Sequence, residues 1–397
     1  MDYFLYYQYI ITGLLSLILV NFIINNFYYR NPASFRLPDK FSKKTPLVSI
    51  LIPARDEEKN IGRCLRSLVK QDYSNIEILV LDDNSTDWTS NIAEKWSQRD
   101  KRIILLKGKP LIKGWKGKSY ACHQLSKKAR GEYIIFTDAD TLHFPDSVSS
   151  AVAALEARKL DALSIFPRQI MVSVHEKLAV IFINLAVLGL LPIYLMRKIK
   201  SPKLSIANGQ FFLFKRSVYD SVGGHRNIRK DIVEDVALSK QVKKCGYRFM
   251  IFDGRNIIHC RMYSGRNQVV RGFSKFIFAA MNYSFFNLAS VIIMILILFL
   301  LPAIFLPLGL YLFDWPLLIN INLFTQVSII LLIRVVMTFR FRQRLLDIIL
   351  HPFSMLYIVI LAVNSVYQAK YSKGIYWKDR YYNIDDPEDA EIRDIEA

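Results

Sequence analysis

The stretch YIIFTDADTLHFPDS, residues 133–147, joins a short apolar run to a pair of carboxylates. Tyr133–Phe136 has the composition of a buried strand, and Asp138 and Asp140 follow at its end. Two carboxylates one residue apart suit a Mg²⁺ or Mn²⁺ ion that bridges a diphosphate, because these cations prefer oxygen ligands. Taken alone, the same pattern is more often an Asx-type turn at a strand end. The other motifs of the sequence are therefore needed to distinguish a metal site from a turn.

Three apolar runs precede this one, and segments with helical spacing separate them. The runs are LVSILIPAR (47–55), IEILVLDD (76–83) and RIILLKG (102–108). Strands that alternate with helices predict an α/β fold, a Rossmann-like, mainly parallel sheet with flanking helices. Ligands bind such sheets at the carboxyl ends of the strands. We therefore expect three groups of residues on one rim of the sheet: Pro53-Ala54-Arg55-Asp56, Asp82-Asp83 and Asp138-Ala139-Asp140.

Two further motifs near this rim suit a nucleotide that carries phosphates. In DDNSTD (82–87), a carboxylate at the end of the second strand suits the imide N–H of a uracil, although a helix cap explains the pattern as well. In GWKGKS (114–119), backbone N–H groups and Lys118 lie before a helix and suit a phosphate group. A flexible charged loop is the alternative for this second motif.

Downstream of the rim, two polar pairs flank an apolar strand. Asn208-Gly209 predicts a turn before the strand, and Glu234-Asp235 predicts the start of a helix after it. Acidic residues are favoured at a helix N-terminus in any case, so this pair alone does not require a catalytic role. Because a helix N-terminus lowers the pKa of a carboxylate, we expect Asp235 to be ionised at neutral pH.

Long apolar segments indicate membrane helices. Hydrophobic residues make up 52% of the 397-residue chain, and these residues cluster in a few segments. NQVVRGFSK (267–275) places Gln268 and Arg271 one helical turn apart, just before such a segment; a snorkelling interfacial helix is the alternative there. The predicted organisation is a transmembrane anchor (1–28), a linker (29–46), a cytoplasmic catalytic domain (47–275) with an interfacial helix (177–196), C-terminal membrane helices (284–369) and a polar tail (370–397). A membrane span or a core helix is the alternative for 177–196, and a re-entrant or interfacial segment is the alternative for 352–369.

The charge distribution indicates a membrane surface rather than a nucleic acid. The formal net charge is +19, and many basic residues flank the apolar segments, as is typical of the cytoplasmic side of a membrane. The sequence has no recognition-helix or RNA-binding signature. Its four cysteines are scattered, which argues against a structural zinc site and fits a reducing compartment. We expect a multi-pass protein of the cell membrane; the sequence carries no signal for an oligomeric state.

The joint order and spacing of these motifs, from about residue 47 to residue 275, resemble a family 2 glycosyltransferase with the GT-A fold. The resemblance implies that Asp138 and Asp140 bind a divalent cation and the donor diphosphate, and that Asp235 is the general base. Together with the prediction for Lys118, the donor-binding set is Pro53, Ala54, Arg55, Glu57, Asp82, Asp83, Lys118 and Asp138. The set for the acceptor and diphosphate side is Asn208, Gly209, Glu234, Gln268 and Arg271.

The QxxRW motif of the family is matched incompletely. Gln268 and Arg271 occupy the expected positions, but Gly272 replaces the tryptophan. In the family that tryptophan contacts the acceptor sugar of processive polysaccharide synthases. A polysaccharide synthase-like, processive activity is therefore only the alternative prediction.

A narrower resemblance concerns YACHQL (120–125), CRMY (260–263), HPFSML (351–356) and YWKDRYYNI (376–384). These segments are similar to those of membrane glycosyltransferases that modify carotenoid acids and of related enzymes of lipid or hopanoid metabolism. The resemblance implies inverting transfer of a sugar from a nucleotide-sugar, such as a UDP-sugar, to a carotenoid, a terpenoid or a glycolipid precursor. A catalytically inactive membrane scaffold is a third hypothesis, against which the presence of Asp138, Asp140 and Asp235 argues.

Overall fold

The structure is a computed structural model, and it describes residues 2–39, 41, 45–371, 375–377, 380–382 and 390–391. Most of the predicted polar tail, part of the YWKDRYYNI segment and part of the predicted linker lie outside these residues. The chain divides into two units. The helical unit comprises Met1–Tyr28, Met171–Pro192 and Tyr263–Ser372, and the sheet unit comprises Tyr29–Ile170, Ile193–Met262 and Lys373–Ala397.

An eight-stranded sheet forms the centre of the sheet unit, with the strand order β3-β2-β1-β4-β7-β6-β8-β5. Strands β1 to β3 and β4 are parallel to one another, and β6 is parallel to β8, whereas β7 and β5 pair antiparallel with their neighbours. The strands are β1 (Val48–Ala54), β2 (Ile76–Asp82), β3 (Ile103–Lys107), β4 (Tyr133–Phe136), β5 (Thr141–His143), β6 (Ala162–Gln169), β7 (Phe212–Lys215) and β8 (Phe249–Cys260). The predicted α/β class and the mainly parallel sheet are confirmed.

Helices cover both faces of this sheet because its central strands are apolar on both sides. Ile50 and Ile52 of β1 join a buried cluster with Leu65 of the helix Ile61–Leu68. Leu51 points to the opposite face, which the helix Gly117–Lys128 covers. The other helices of the unit are Thr89–Arg99, Ser147–Ala157, Ile193–Met196, Arg216–Ser221, Gly224–Asn227 and Glu234–Lys244. A small antiparallel sheet consists of Ile375–Trp377, Arg380–Tyr382 and Ala390–Glu391.

Register places the ends of the central strands side by side. Ala54, the last residue of β1, pairs with Asp82, the last residue of β2, and Leu51 of β1 pairs with Phe136 at the end of β4. The residues that follow β1, β2 and β4 therefore start from one rim, as the sequence predicts.

The helical unit contains the long apolar helices. In the described ranges, four helices are long and apolar enough to cross a membrane: Asp2–Tyr28, Phe285–Tyr311, Leu317–Arg340 and His351–Lys370. The second consists of Phe285–Ile295, a π-helical turn at Leu296–Leu300, and Leu301–Tyr311. The unit also includes the helices Val174–Leu185 and Arg266–Ala280.

The segment predicted as an interfacial helix is not continuous. The helix Val174–Leu185 passes into a π-helical turn, Ala186–Leu190, and a separate helix begins at Ile193. The side chain of Asn21 donates to the carbonyl oxygen of Gly189 at 2.7 Å, and that of Asn25 donates to that of Leu188 at 2.8 Å. These bonds tie the π-helical turn to the first apolar helix, so it groups with the helical unit. Whether the segment lies in a membrane interface stays a prediction.

The boundary near residue 275 also differs from the expected one. The backbone N–H of Gly265 donates to the carboxylate of Glu176 at 2.8 Å, and Gln268 and Arg271 belong to the helix Arg266–Ala280. Tyr263 and the residues after it consequently group with the helical unit, whereas the sequence suggests that they close the catalytic domain.

Candidate active site

The ends of β1 and β2 are joined by Arg55. Its Nη1 donates to the carbonyl oxygens of Asp83 at 2.8 Å and of Asn84 at 3.2 Å, and the backbone N–H of Asp83 donates to the carbonyl oxygen of Ala54. Asp82 and Asp83 are buried: Asp82 is 6% exposed and Asp83 is 4% exposed. The structure therefore brings together the predicted donor-binding residues of these two strands, with Pro53 half-buried at the end of β1.

Asp82 and Asp83 differ in their local role. The Asp82 carboxylate accepts a hydrogen bond from the backbone N–H of Ser85 at 3.2 Å, which closes a local turn rather than the helix cap that is the alternative explanation of DDNSTD. The next helix begins at Thr89, and its N-cap residue makes no side-chain capping bond. The turn and ligand binding are compatible, because each carboxylate oxygen has two lone pairs. Asn84 has a φ of 56°, so the chain turns sharply directly after the pair.

Glu57 also belongs to this rim. Its backbone N–H donates to Thr89 Oγ1 at 2.7 Å, and its carboxylate accepts from the side chain of Asn60 at 2.8 Å. These bonds fix Glu57 close enough for its negative charge to act on both Asp138 and Asp140. The predicted donor-binding glutamate therefore lies near the carboxylate pair that follows β4.

Lys118 connects the carboxylate pair to the Glu234-Asp235 motif. Its Nζ lies 2.7 Å from Asp138 Oδ1 and 2.8 Å from Glu234 Oε1. Burial disfavours the charged ammonium, but Asp138 and Glu234 outweigh that effect and hold the pKa of Lys118 well above its usual value. Lys118 is a fixed cation at the place where the sequence predicts a phosphate contact.

Asp138 and Asp140 have the properties of cation ligands. Burial, together with the charges of Asp138 and Glu57, raises the pKa of Asp140 to about 7, and burial also raises the pKa of Asp138 despite Lys118. Asp140 Oδ1 is buried and has no hydrogen-bond partner among the residues that the structure describes. An unsatisfied, buried carboxylate oxygen is costly unless a hydrogen-bond donor or a cation reaches it.

The donor atoms at this place fit Mg²⁺ or Mn²⁺. Within the described ranges, no group of three or more His, Cys, Asp or Glu side chains is arranged to hold a metal ion. Mg²⁺ commonly takes only one or two carboxylates from the protein when substrate phosphates and water supply the other ligands. Asp138 and Asp140 supply these two carboxylates, and substrate phosphates and water would complete the coordination of the ion.

A buried polar network behind the carboxylate pair was missed by sequence reasoning. Thr137 Oγ1 donates to the carbonyl oxygen of Gln210 at 2.7 Å, and Gln210 Nε2 donates to Cys260 Sγ at 3.0 Å. The Cys260 thiol in turn interacts with the Asp140 carboxylate. The network fixes the turn after β4 against β7 and β8. The threonine next to the carboxylate pair was the only local signal, since nothing in the sequence links Gln210 and Cys260 to it.

Asp235 lies at the start of the helix Glu234–Lys244 and holds the predicted turn. Its Oδ2 accepts from the backbone N–H of Gly209 at 2.7 Å, and its Oδ1 accepts from the backbone N–H of Val236 at 2.8 Å. The side chain of Asn208 accepts from the backbone N–H of Gln210 at 2.9 Å. The structure thus brings Asn208, Gly209 and Asp235 together.

The expectation that Asp235 has a lowered pKa is wrong. Burial and the neighbouring charge of Glu234 raise the pKa of Asp235 to about 7, although Lys118 and two backbone N–H groups act in the opposite direction. The helix N-terminus supplies its usual hydrogen bonds, but loss of solvation outweighs them. A carboxylate with this pKa accepts a proton more readily than an exposed one, which suits a general base.

Gly209 lies against three of these groups. A Cβ atom at this position would be 3.1 Å from Lys118 Nζ and 3.4 Å from both Asp235 Oδ2 and Glu234 Oε1. The glycine therefore leaves the space in which the lysine and the two acids meet.

Gln268 and Arg271 lie in the helical unit. The side chain of Gln268 accepts from the backbone N–H of Ser264 at 2.7 Å, which caps the start of the helix Arg266–Ala280. Their predicted acceptor-side and diphosphate-side roles stay predictions.

Comparison with known proteins gives consistent results. The family model described as Glycosyl transferase family 2 matches residues 49–223. The 4,4'-diaponeurosporenoate glycosyltransferase of Staphylococcus haemolyticus (strain JCSC1435) is 29% identical over 236 residues, 58% of this chain and 61% of that protein. The protein of the same name from Staphylococcus aureus (strain USA300) is 28% identical over 232 residues, 57% of this chain and 60% of that protein. The match thus spans about three fifths of the length of these relatives.

A solved structure resembles most of the chain. This structure is a mannosyltransferase from Pyrobaculum calidifontis in complex with GDP-Man and Mn²⁺. The superposition includes 92% of this chain and 99% of the mannosyltransferase chain. The TM-score is 0.53 and the sequence identity is 17%. At this identity the likeness concerns the fold.

Proposed function

We propose that this chain transfers a sugar from a nucleotide-sugar donor to a lipid acceptor in the membrane; the match of residues 49–223 to the Glycosyl transferase family 2 model and the fold that it shares with a solved mannosyltransferase support this proposal. The observation that carries the proposal is the ion pair between Lys118 and Asp138 at the end of β4. It joins a carboxylate pair suited to a divalent cation and a lysine suited to phosphate. A diphosphate that leaves a sugar needs both.

The donor nucleotide lies along the ends of β1 and β2 in this proposal. Arg55 holds the backbone after β2 in place, so that the buried carboxylates of Asp82 and Asp83 point to a fixed location. A carboxylate there accepts the imide N–H of uracil, which supports a UDP-sugar as the first donor to test. A guanine also presents N–H donors, so GDP-sugars belong in the same panel.

The diphosphate is bound by the residues that follow β4. Asp138 and Asp140 would hold Mg²⁺ or Mn²⁺, and the ion would supply positive charge against the leaving diphosphate. Lys118 moves from Asp138 to a phosphate oxygen, because the arriving diphosphate offers the ammonium a more highly charged partner. Gly209 leaves room for this movement next to Glu234.

The acceptor is activated by Asp235. Its raised pKa lets it take the proton of an attacking hydroxyl group while the acceptor oxygen forms a bond to the anomeric carbon. Attack from the face opposite to the leaving diphosphate inverts the configuration at that carbon. A carboxylic acid acceptor is already ionised near neutral pH, so Asp235 would then position the acceptor rather than remove a proton.

A carboxylate acceptor is supported by the relatives, whose name gives 4,4'-diaponeurosporenoate as the acceptor of a glycosyl group. A carotenoid acid of this kind resides in a membrane, and four helices among the described residues of this chain are long and apolar enough to cross one. We therefore place the protein in the cell membrane as a multi-pass enzyme, with its catalytic domain in the cytoplasm, where nucleotide-sugars are made.

Processive polysaccharide synthesis is the second candidate. It requires an acceptor-stacking tryptophan at the position of Gly272. A Cβ atom on Gly272 would come within 2.2 Å of the ring of Tyr263, so a tryptophan at this position would require the Tyr263 ring to move. This packing favours transfer of a single sugar.

The test is a transfer assay with purified full-length protein. The protein, Mn²⁺ or Mg²⁺ and a lipid extract are incubated with labelled UDP-, GDP- and other sugar nucleotides, and the lipid phase is analysed by mass spectrometry. We expect one donor to yield a lipid product that is one sugar heavier than its precursor. A ladder of products differing by sugar units would favour the processive alternative, and an unlabelled lipid phase with every donor would contradict the proposal.

A further inference from the structure

The helical unit buries an arginine and a histidine in one region. Arg334, near the end of the helix Leu317–Arg340, is 1% exposed, and His351, the first residue of the helix His351–Tyr371, is 3% exposed. Arg334 Nη2 donates to the backbone of Asp347, four residues before His351, and the charge of Arg334 acts on His351, so both side chains belong to one buried region. Ionisable groups buried at apolar helices are rare, and they usually mark a functional site.

Four nitrogen atoms of these two side chains have no hydrogen-bond partner among the described residues. Arg334 Nη2 donates to the carbonyl oxygen of Asp347 at 2.9 Å. In the described part of the chain, neither Nε nor Nη1 of Arg334 has an acceptor, and neither ring nitrogen of His351 has a partner. A guanidinium has five N–H groups in a planar fork that matches a carboxylate or a phosphate. The pair therefore has buried N–H groups for which the described residues supply no acceptor.

The local charges are also unbalanced. Asp347 is the carboxylate whose charge acts on Arg334, but its Oδ1 already pairs with Lys177 Nζ at 2.9 Å. Its Oδ2 accepts from the backbone N–H of Arg344 at 3.3 Å. The Asp347 carboxylate thus faces two cations, Lys177 and Arg334, and an additional anion would balance the charge of Arg334. Burial of an uncompensated charge is strongly unfavourable, which gives an anionic ligand a driving force for binding.

The surroundings indicate that this ligand has an apolar part. The ring of His351 packs edge-on against Phe299, with 6.0 Å between the ring centroids. The segment that carries Asp347 and His351 also exposes four large apolar side chains to the outside of the unit: Leu345, Leu346, Ile349 and Phe353. An anion with a hydrocarbon chain would satisfy Arg334 and cover apolar surface at the same time.

We propose that Arg334 and His351 form a binding site for the oxyanion head group, a carboxylate or a phosphate, of an amphipathic lipid. One unpaired N–H of Arg334, on Nε or on Nη1, donates to an oxygen of the head group, and one ring N–H of His351 donates to the same head group. The hydrocarbon chain lies along Leu345, Leu346, Ile349 and Phe353. Because the site is defined by binding alone, it goes beyond the proposed sugar transfer and stands or falls independently of it.

The experiment compares lipids that differ only in their charge. Purified full-length protein in a nonionic detergent is titrated at pH 8 with oleate or oleyl alcohol, and separately with dioleoyl phosphatidylglycerol or dioleoyl phosphatidylcholine. Bound lipid is counted by native mass spectrometry, and the melting temperature is recorded. We expect oleate, phosphatidylglycerol or both to bind saturably and to raise the melting temperature, while their uncharged or zwitterionic counterparts do not.

The pattern distinguishes the two sources of the oxyanion. Binding of oleate alone identifies a carboxylate ligand, binding of phosphatidylglycerol alone identifies a lipid phosphate, and binding of both identifies a site for either. Equal binding of charged and uncharged lipids in both pairs would overturn the proposal.

Variants then assign the site to its residues. Losing a charge-assisted contact costs about 1.5–3 kcal/mol, so Arg334→Gln should weaken oxyanion binding by roughly tenfold to a hundredfold. His351→Gln should weaken it less and serves as the second test if Arg334→Gln does not fold. Arg342→Gln, an exposed arginine in the same stretch of chain, is the matched control. Unchanged binding in both site variants would overturn the assignment.

Discussion

Lys118 Nζ lies 2.7 Å from Asp138 Oδ1, so the start of one helix and the end of β4 share an ion pair at the centre of the proposed donor site. The same ammonium lies 2.8 Å from Glu234 Oε1. One lysine therefore neutralises charge on both the proposed metal side and the proposed acceptor side. Four predictions start from this arrangement.

The first prediction concerns Lys118→Met. Removing the ammonium leaves Asp138 and Glu234 without their shared cation and leaves the diphosphate without a phosphate contact. We expect kcat/KM for the donor to fall by about two to three orders of magnitude, the usual loss when one transition-state contact is removed. In steady-state assays, Lys113→Met, a substitution of an exposed lysine in the preceding loop, should leave kcat/KM within about twofold. Similar losses in both variants would remove Lys118 from the site.

The second prediction is a gain in stability together with a loss of activity in Asp140→Asn. Because the pKa of Asp140 is raised to about 7 in the folded state, the folded protein retains a proton there that the unfolded chain loses near pH 4. Ionisation of Asp140 therefore destabilises the metal-free fold as the pH rises from about 4 to 7. At pH 8 in chelator, Asp140→Asn should melt at a higher temperature than the wild type.

The same variant should lose metal-dependent transfer almost completely, since an amide is a poorer ligand for a hard cation. Calorimetric titration with Mn²⁺ and transfer assays measure the two effects, and Asp146→Asn, at the start of the next helix, is the control. Full transfer by Asp140→Asn in chelator would contradict the metal assignment.

The third prediction concerns the pH dependence of transfer to an alcohol acceptor. A general base works in its ionised form, so with a pKa of about 7 for Asp235 the rate should rise through pH 6 to 7 and level off above. Asp235→Asn should abolish this rise and lower kcat by about two to four orders of magnitude, with donor binding nearly unchanged. With a carboxylic acid acceptor the loss should be smaller and nearly independent of pH. Loss of donor binding instead would move Asp235 to the nucleotide side.

The fourth prediction uses the space at Gly209. In Gly209→Ala, the added methyl group would lie 3.1 Å from Lys118 Nζ, closer than ordinary contact, so the ammonium has to shift. A small displacement of a catalytic group strongly lowers the reaction rate. We therefore expect kcat/KM to fall by about tenfold or more without loss of folding. Gly62→Ala, whose Cβ makes only a 3.4 Å contact with Ile92, is the control. Equal activity of the two alanine variants would show that the space is not needed.

The sheet was predictable from sequence as far as local pattern determines it. Continuous apolar runs that end in polar residues predicted β1 to β4, and the parallel order of the first four strands follows from the helices between them. The antiparallel pairing of β7 with β4, and of β5 with β8, was not predictable, because strand partners distant in sequence are chosen by packing in the folded state.

The candidate site was predictable in its residue types but not in its pairings or pKa values. The motifs indicated Lys118, Asp138 and Asp235 one by one, whereas the shared ion pair of Lys118 depends on segments that meet only in the fold. The pKa of Asp235 was predicted with the wrong sign, because burial of a side chain next to Glu234 is not visible in a helix-start pattern. The network through Gln210 and Cys260 was missed for the same reason.

The most direct test counts the two products of the central reaction. Full-length protein is incubated with Mn²⁺, the active donor and the lipid fraction, and both the nucleoside diphosphate released and the sugar recovered in the lipid phase are quantified. Wild type should give one diphosphate per lipid-linked sugar, and both products should disappear in chelator and in Asp140→Asn. Diphosphate release with no sugar in the lipid phase, or undiminished transfer by Asp140→Asn in chelator, would contradict a metal-assisted transfer to a membrane lipid.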